Sequence, residues 1–565
     1  MCIVSFHLTP NRNTRRTIAT ATVLVLVAIG AGGSPAARPT RACVEPDPPA
    51  ALVPACEANA LIVLEATTAA ETREAVSVVE ALGGCAVHVF PPAALIASVP
   101  PQVDLRSVPF FADAYRGEVP AGTFANLRSE AQLAAAVWSN MLTSPPPSAA
   151  ADSETPPGEP LAGDAREAPV SVAPQGAITS ASPAPGYNQT SEFMAGEVAV
   201  GIILPESDGT IDAQTENWGA RDATVVSEIA AGLSWWGATG MPQGNLTFFY
   251  DTHLKVPTGY EPITRSSSDQ GLWMAQTLAA IGYPGTSYWT QVRNYLNAIR
   301  VSNGTDWAIA VFVVDSLADS DGKFTDGYFG YAYYYGPFTV MTYDNDGWGI
   351  SRMDSVLAHE TGHLFGAGDE YCQLGYSCCS CGGSYGYLGI ANSNCEARCV
   401  TSSTDCPTCV SVNCIMRNNA NVIDTPSRHQ VGGRDLDSDT IPDPVDTTPT
   451  VSISTRPAET IVLNTARYTG SSQDVAYDSP TRSDVTINFI SAVQYRIDAG
   501  SWVSALPADG AWDETAEDYL FSTAPLALGP HTIDIRSVNR AGNSSALQTD
   551  TFVIIPGGYL PLVIR

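Results

Sequence analysis

The chain has 565 residues, which is too long for one hydrophobic core and predicts several domains. Its formal net charge is −30, and only two of its basic residues, Lys255 and Lys323, are lysines. So acidic a surface excludes nucleic acid and anionic membranes as expected partners, and it is typical of a soluble exported protein.

Residues 1–37 have the pattern of a secretory signal peptide. Arg12, Arg15 and Arg16 precede an apolar run over residues 17–33 that ends among small residues. A signal anchor is the alternative, but the run is short for a bilayer span and rich in alanine. We therefore expect a secreted, extracellular protein with no stable membrane insertion once the signal is removed.

Residues 38–125 are predicted to form a small α+β domain. The order of apolar runs and amphipathic stretches predicts strand, helix, strand and strand at 60–64, 69–82, 86–90 and 94–99. This order resembles the inhibitory propeptides of subtilisin-type proteases. The resemblance implies a prodomain that keeps an enzyme inactive or helps it to fold, with a permanent accessory domain as the alternative.

A linker follows over residues 126–187. It begins with a predicted helix at 129–142 and continues as a stretch dominated by proline, alanine and serine. Such a composition buries too little apolar surface to fold and leaves the backbone open to processing proteases. Cleavage within this stretch during maturation is our hypothesis.

Residues 188–432 have the pattern of an α/β domain. Continuous apolar runs predict buried strands, and longer amphipathic stretches predict the helices between them. The predicted order is strand, helix, strand, helix and strand, at 198–204, 220–236, 245–250, 289–299 and 307–314.

The most specific signal is the sequence His-Glu-Thr-Gly-His-Leu-Phe-Gly-Ala-Gly-Asp at residues 359–369. Four residues of an α-helix turn through about 400°, so His359 and His363 project from one face and can bind one Zn²⁺. Glu360 lies about 100° round the helix, where its carboxylate can take a proton from a zinc-bound water and pass it to a leaving amine. The pattern predicts hydrolysis of an amide bond.

The third protein ligand is less determined by the sequence. Gly366 suits the left-handed conformation that ends a helix and returns the chain toward the ion. This makes Asp369 the first candidate, with Glu370 and His429 as alternatives.

The motif resembles that of the metzincin zinc metallopeptidases, HExxHxxGxx followed by histidine or, in snapalysin-like members, by aspartate. Residues 369–371, Asp-Glu-Tyr, are also similar to the active-site segment of bacterial IgA-peptidase-like metallopeptidases. The resemblance implies a metzincin-like catalytic fold with a Met-turn beneath the histidines, which we assign to residues 414–417 with Met416 as its methionine. It also implies an edge strand that binds extended peptide near residues 331–338. The tyrosines there either line subsites or serve packing.

Nine cysteines crowd into a Cys-rich loop at residues 372–414. Disulfides are favoured over a structural zinc site, because a long loop in an exported chain needs covalent cross-links. The remaining cysteines after the signal are Cys43, Cys56 and Cys85. A Cys43–Cys56 bridge is the simplest pairing, and a Cys43 thiolate that blocks the zinc in a latent precursor is the alternative.

Residues 433–449 form an aspartate-rich segment. Alternate aspartates bring oxygen atoms onto one hard cation, and the segment resembles a thrombospondin type-3 repeat with Thr440 where glycine is usual. We expect calcium here, with a solvated acidic linker as the alternative. The candidate ligands are Asp435, Asp437, Asp439, Asp443 and Asp446.

Residues 450–556 are predicted to form an all-β sandwich. Short alternating runs such as 493–498 and 531–536 are separated by turn residues. The segment is similar to the bacterial immunoglobulin-like and fibronectin-like modules of exported enzymes, which implies a spacer or a module for a cell-surface or matrix ligand. A tail over 557–565 follows.

The sequence thus predicts a multidomain, secreted zinc metalloendopeptidase that is made as a precursor and acts on proteins or peptides. Its zinc ligands would be His359, His363 and Asp369, and Glu360 would be the general base and acid. The alternative is a catalytically inactive, metal-binding adhesin that uses the β-sandwich. The carboxylate of Glu360 argues against that alternative, because metal ligation alone does not require it.

Overall fold

The computed structural model describes residues 56–143, 184–345, 347–370, 384–392, 413–461 and 464–556. The predicted signal peptide, Cys43, most of the linker, the cysteines of the Cys-rich loop up to Cys409, and the tail lie outside these ranges. The chain divides into a larger compact unit, Val53–Thr447 with Val475–Ile487, and a smaller one that contains Thr448–Asp474 and Asn488–Arg565. None of the described helices is long and apolar enough to cross a lipid bilayer.

The larger unit begins with seven elements that include the predicted strand, helix, strand and strand. Its first helix starts at a capping box, in which Thr68 Oγ1 accepts from the Glu71 N–H and the Glu71 carboxylate accepts from the Thr68 N–H. The elements are β1 (Ala60–Leu64), α1 (Ala69–Ala81), β2 (Cys85–Phe90), β3 (Ala94–Ser98), β4 (Phe111–Tyr115), α2 (Ala121–Phe124) and α3 (Ser129–Thr143).

A disulfide joins Cys56 to Cys85, with 6.1 Å between their Cα atoms. The simple pairing of Cys43 with Cys56 is therefore wrong. The reason is that β2 begins beside Cys56, which places Cys85 within bonding distance of it although 29 residues separate them.

The next elements form the body of the larger unit. The five predicted at 198–314 are all present, together with a helix that was not predicted, at Gln270–Ala280. In chain order the elements are β5 (Glu197–Ser207), α4 (Asp222–Trp235), β6 (Thr247–Thr258), α5 (Gln270–Ala280), α6 (Tyr288–Asn303), β7 (Trp307–Val314), β8 (Gly330–Ala332), β9 (Phe338–Thr342), α7 (Met353–Leu364), β10 (Ser384–Tyr385), β11 (Ile390–Ala391), α8 (Ile415–Asn418) and α9 (Thr425–Gln430).

One nine-stranded sheet runs through this unit in the order β4-β1-β3-β2-β6-β5-β7-β9-β8. Strands β6, β5, β7 and β9 are parallel, whereas β8 is antiparallel to β9 and ends the sheet. Alternate residues of β5 enter two cores, because Val198 and Val200 pack on the side of α4 and α7, and Ala199 and Ile203 pack on the side of α5 and α6. Both faces of the sheet are therefore covered by helices.

The N-terminal strands continue this sheet. We predicted an α+β prodomain at residues 38–125, and in the structure β2 of this segment pairs in parallel with β6, with His88 opposite Phe248. Arg73 of α1 forms an ion pair with Glu197 of β5 at 2.5 Å. These strands occupy the edge opposite to β8, and Phe249 of β6 packs into their core.

The smaller unit is an all-β sandwich of two sheets, in the orders β12-β14-β18-β17 and β13-β20-β19-β15-β16. One core lies between them, in which the Tyr495 and Phe521 rings stack with centroids 3.9 Å apart. The predicted boundary at 450–556 is corrected, because residues 475–487 belong to the larger unit. The strands are β12 (Thr450–Thr455), β13 (Thr460–Ile461), β14 (Arg467–Gln473), β15 (Ile490–Ile497), β16 (Val503–Ser504), β17 (Leu506–Pro507), β18 (Ala516–Ser522), β19 (Gly529–Asn539) and β20 (Gln548–Ile554).

Candidate metal centre

Helix α7 carries the two histidines of the motif inside the protein. Every residue from Ser355 to Leu364 is buried, including His359, Glu360 and His363. The Nε2 atoms of His359 and His363 lie 3.1 Å apart. Burial of so many polar side chains on one helix is unfavourable unless they have partners, so the helix itself indicates a functional site.

Asp369 completes a triangle with the two histidines. Gly366 follows the helix with a φ of +87°, and the chain then turns back. Asp369 Oδ1 lies 3.2 Å from His359 Nε2 and 3.2 Å from His363 Nε2. A tetrahedral zinc ion with bonds of about 2.0–2.1 Å separates its ligand atoms by about 3.3 Å, so the triangle fits such an ion.

Hydrogen bonds to main-chain carbonyls orient both imidazoles. His359 Nδ1 donates to the Ile415 oxygen and His363 Nδ1 donates to the Ala367 oxygen, each at 2.8 Å. A carbonyl oxygen only accepts, so the neutral rings carry their protons on Nδ1 and direct the Nε2 lone pairs at the triangle. Together with the Asp369 oxygen, three acceptor atoms converge there, which is an arrangement that a cation stabilises.

The electrostatics of the triangle agree with this interpretation. Burial disfavours the Asp369 carboxylate, but the adjacent imidazoles of His363 and His359 hold its pKa well below the ordinary value. Burial likewise disfavours a charged His363, yet the Asp369 carboxylate raises the pKa of that imidazole. A divalent ion would supply positive charge to all three groups at once.

Met416 packs against α7 at Gly362, which lies between the two histidines in the sequence. It is fully buried, and a β-carbon at Gly362 would overlap its sulfur. The turn that contains it also supplies the Ile415 oxygen that orients His359. Gly362 was not singled out from the sequence, although a glycine in the middle of a buried helix is a signal of such a close approach.

Glu360 lies between the triangle and the edge strand β8. Its Oε1 atom is only 3.1 Å from the position of a β-carbon at Gly330, the first residue of that strand. Burial raises the pKa of Glu360 to about 8, with His359 lowering it and the Asp369 carboxylate raising it further. A glutamate side chain can accept a proton as the carboxylate and donate it as the acid, as a general base and acid must.

The two alternative third ligands lie elsewhere. Glu370 forms a second buried group with Cys414 and Asp424, and burial raises its pKa to about 8. His429 lies in α9 and belongs to none of the groups of metal-binding atoms found among the described residues. Of the three candidates, the structure brings only Asp369 to the histidines.

The tyrosines near β8 serve two different purposes. Tyr331 and Tyr333 are buried, and both hydroxyls bond to the Gln270 side chain. The Tyr334 ring instead meets His363 edge-on, with centroids 5.5 Å apart, and Tyr385 lies 5.7 Å beyond it. Tyr331 and Tyr333, two residues apart, pack into the same core, whereas Tyr334 lies in the turn that follows β8.

Comparisons with known proteins do not identify a family. No family model matches the sequence, and no curated protein matches it. The sulfane dehydrogenase SoxCD of Paracoccus pantotrophus is 13% identical over 18% of this chain and 23% of its own, with a TM-score of 0.14. The fibronectin(III)-like modules of CbhA from Clostridium thermocellum are 18% identical over 20% of this chain and 48% of theirs, with a TM-score of 0.13.

A β-glucosidase from Listeria innocua, solved with glucose, is 8% identical over 65% of this chain and 46% of its own, with a TM-score of 0.15. The chain spans less than half the length of each of these three proteins. Structural similarities with TM-scores this low support no conclusion about the fold or the function of this protein.

The aspartate-rich segment gathers three of its five candidate ligands. Oxygen atoms of Asp435, Asp437 and Asp439 lie within 4.8 Å of one another. Asp443 is directed elsewhere, because one of its oxygens pairs with Arg434 Nε at 2.5 Å and the other accepts from the Leu436 N–H. Asp443 and Asp446 are not part of the gathered group.

Proposed function

We propose that this protein is a secreted zinc-dependent metalloendopeptidase with a metzincin-like catalytic domain. The observation that carries the proposal is the convergence of His359 Nε2, His363 Nε2 and Asp369 Oδ1 at 3.1–3.2 Å beside the buried carboxyl group of Glu360. The packing of Met416 against the same helix supports it. Export is supported by the signal-like N-terminus and by the Cys56–Cys85 disulfide, since disulfides persist in oxidising compartments.

His359, His363 and Asp369 would hold the zinc. When bound, zinc polarises a scissile carbonyl and acidifies the attacking water. The carbonyl oxygens of Ile415 and Ala367 keep the imidazoles in the tautomer that ligation needs. Glu360 accepts the proton of the attacking water and then donates it to the leaving amine nitrogen, so the amine departs neutral.

The edge strand offers a place for an extended peptide. Among the described strands, β8 pairs with β9 on one side only, so a peptide strand can add to its outer edge by main-chain hydrogen bonds. Glu360 Oε1 lies 3.1 Å from the position of a β-carbon at Gly330, at the start of β8. A peptide bound along this edge would therefore have its scissile bond next to the proposed general base. Tyr334, which lies beside His363, and Tyr385, which lies beside Tyr334, would contact the side chains of the peptide.

The other parts of the chain have supporting roles in this proposal. We assign calcium to Asp435, Asp437 and Asp439, because their three carboxylates approach one another in a turn. The β-sandwich would bind a cell-surface or matrix ligand, or act as a spacer. The N-terminal strands would assist folding, because they lie at the sheet edge opposite to β8 and Glu360.

Metal removal tests the enzymatic proposal. Purified secreted protein should contain about one zinc per chain and should cleave casein or immunoglobulin. A chelator should abolish cleavage, and added zinc should restore it. Glu360→Ala should retain the zinc and lose the activity. Cleavage that survives complete metal removal would exclude the proposed mechanism.

A further inference from the structure

Residues Val475–Ile487, here called the strap, lie between β14 and β15 of the smaller unit in sequence but belong to the larger unit. The strap is tied by hydrogen bonds to the β10–β11 hairpin. Ser479 Oγ donates to the Tyr387 oxygen at 2.6 Å, and Thr481 Oγ1 donates to the Gly386 oxygen at 2.9 Å. Tyr387 in turn accepts from the strap, through a bond of 3.0 Å from the Val485 N–H to its hydroxyl. The strap therefore fixes the main chain of the hairpin.

Arg482 is the charged centre of the strap. Its guanidinium forms a bidentate ion pair with Glu192, at 2.6 and 2.9 Å, and the Glu192 side chain is only 1% exposed. The guanidinium carbon also lies 4.0 Å from the centroid of the Tyr335 ring. The planar group thus satisfies a buried carboxylate and stacks on an aromatic ring at once, which a lysine ammonium cannot do.

Tyr335 connects Arg482 to the turn that follows α7. Its N–H donates to the His363 oxygen at 3.3 Å, and its ring is so near Gly366 that a β-carbon there would lie 2.6 Å from Cε1. On the other side of the same turn, the Tyr385 ring lies 2.8 Å from the position of a β-carbon at Gly368. The turn is therefore clamped between two tyrosines, one held by Arg482 and the other carried by the hairpin that the strap fixes.

We propose that Arg482 is a positioning residue for the metal centre. By holding Tyr335 against the turn, it fixes the carboxylate of Asp369 at its distance from His359 and His363. The inference rests on the proposed function, because it concerns the ligand set of the same centre. It implies that the metal centre depends on a residue encoded between two strands of the C-terminal sandwich.

The matched control is Arg496 in the sandwich. It pairs with Asp534 at 2.9 Å, its guanidinium carbon lies 4.6 Å from the Trp502 ring centroid, and its side chain has the same 27% exposure as that of Arg482. The two arginines therefore make the same kinds of contact, but only one is linked to Asp369. A general loss of an arginine contact should affect both variants equally.

The experiment titrates Co²⁺ into the metal-free full-length chain and follows its visible absorption, for wild type, Arg482→Ala, Arg482→Lys and Arg496→Ala. Loss of a residue that orients a metal ligand typically weakens binding by about 10–100-fold, so Arg482→Ala should bind Co²⁺ at least about tenfold more weakly. Arg482→Lys should lie between Arg482→Ala and wild type, because it keeps the charge beside Glu192 but loses the bidentate pair and the stacking. Arg496→Ala should bind as wild type does.

Equal affinity of wild type and Arg482→Ala, or an equal loss in Arg496→Ala, would overturn the inference. If Arg482→Ala does not fold, Arg482→Lys is compared with wild type instead. Equal Co²⁺ affinity of these two proteins would also overturn the inference. Peptide cleavage provides a second readout, in which saturating zinc should restore the activity of Arg482→Lys. A wild-type chain that takes up no Co²⁺ would instead refute the proposed metal centre, so the two failures are distinguishable.

Discussion

The sulfur of Met416 occupies the space that a β-carbon at Gly362 would fill. Gly362 lies between His359 and His363 in the sequence of α7, so this contact joins the turn that contains Met416 to the part of the helix that carries both imidazoles. Trp236 reaches the same position, 3.4 Å from where the β-carbon would lie. Helix and turn can approach this closely only because residue 362 has no side chain.

Replacing Gly362 with alanine should therefore damage the centre. The added methyl group forces Met416 away from the helix, and overpacking of this kind typically costs about 1–3 kcal/mol of unfolding free energy. Gly122→Ala is the control, since that helical glycine has open space around its β-carbon position. Urea denaturation should show a lower midpoint for Gly362→Ala only. Equal urea midpoints for Gly362→Ala and Gly122→Ala would contradict the close contact between Met416 and Gly362.

Replacing each of the three candidate third ligands should affect zinc binding differently. Asp369→Asn should weaken zinc binding more than Glu370→Gln or His429→Ala, because only Asp369 lies 3.2 Å from both imidazole nitrogens. Competition with a zinc-chelating dye would rank the three affinities. A greater loss in the Glu370 or His429 variant would assign the third ligand differently.

The N-terminal strands should remain attached after cleavage of the linker. The pairing of β2 with β6 and the ion pair between Arg73 and Glu197 join residues 56–143 to the rest of the larger unit. We would introduce a specific protease site between residues 143 and 184 and analyse the cut protein by size-exclusion chromatography. The two fragments should elute together. Release of the smaller fragment under native conditions would support the separate prodomain that we first predicted.

The free energy of unfolding should fall as pH rises through neutrality, and the ionisation of Glu228 is one cause. Burial raises the pKa of Glu228 to about 7, and the Asp354 carboxylate adds to this shift. As pH rises, Glu228 of the unfolded chain loses its proton near its pKa of 4.5. Glu228 of the folded chain still holds its proton at that pH, because its pKa is higher. This contribution to stability is complete below pH 4.5 and is lost as pH rises through about 7.

Glu228→Gln removes this titration. The difference in unfolding temperature between the variant and wild type should thus grow in favour of the variant from about pH 5 to about pH 8. Differential scanning calorimetry at several pH values measures it. A constant difference over this range would show that Glu228 does not titrate as its burial indicates.

Local patterns predicted much of the fold. The strand Trp307–Val314 has the predicted bounds, because eight consecutive apolar residues ending at an aspartate leave little choice. The helix Met353–Leu364 and the projection of His359 and His363 from one side of it follow from the spacing of the motif. The buried environment of Glu360 does not, since it depends on Gly330, thirty residues earlier in the chain.

Contacts between distant segments account for what the sequence did not predict. The joining of β2 to β6 depends on residues about 160 positions apart, such as His88 and Phe248. The strap lies within a stretch that alternating patterns assigned to the sandwich, and its placement depends on the pair between Arg482 and Glu192. The spacing of apolar residues along the sequence indicates which side of a helix or strand is buried. It does not indicate which distant strand or side chain that element contacts.

The most direct test of the central claim compares wild type with Glu360→Gln, both shown to hold one zinc per chain, in steady-state cleavage of a peptide substrate. Glutamine preserves the shape of the side chain but cannot accept or donate the proton. The account predicts that kcat falls by about 100-fold or more, the size of effect that general acid–base groups contribute, while zinc content stays the same. Equal kcat values for the two zinc-loaded proteins would contradict it.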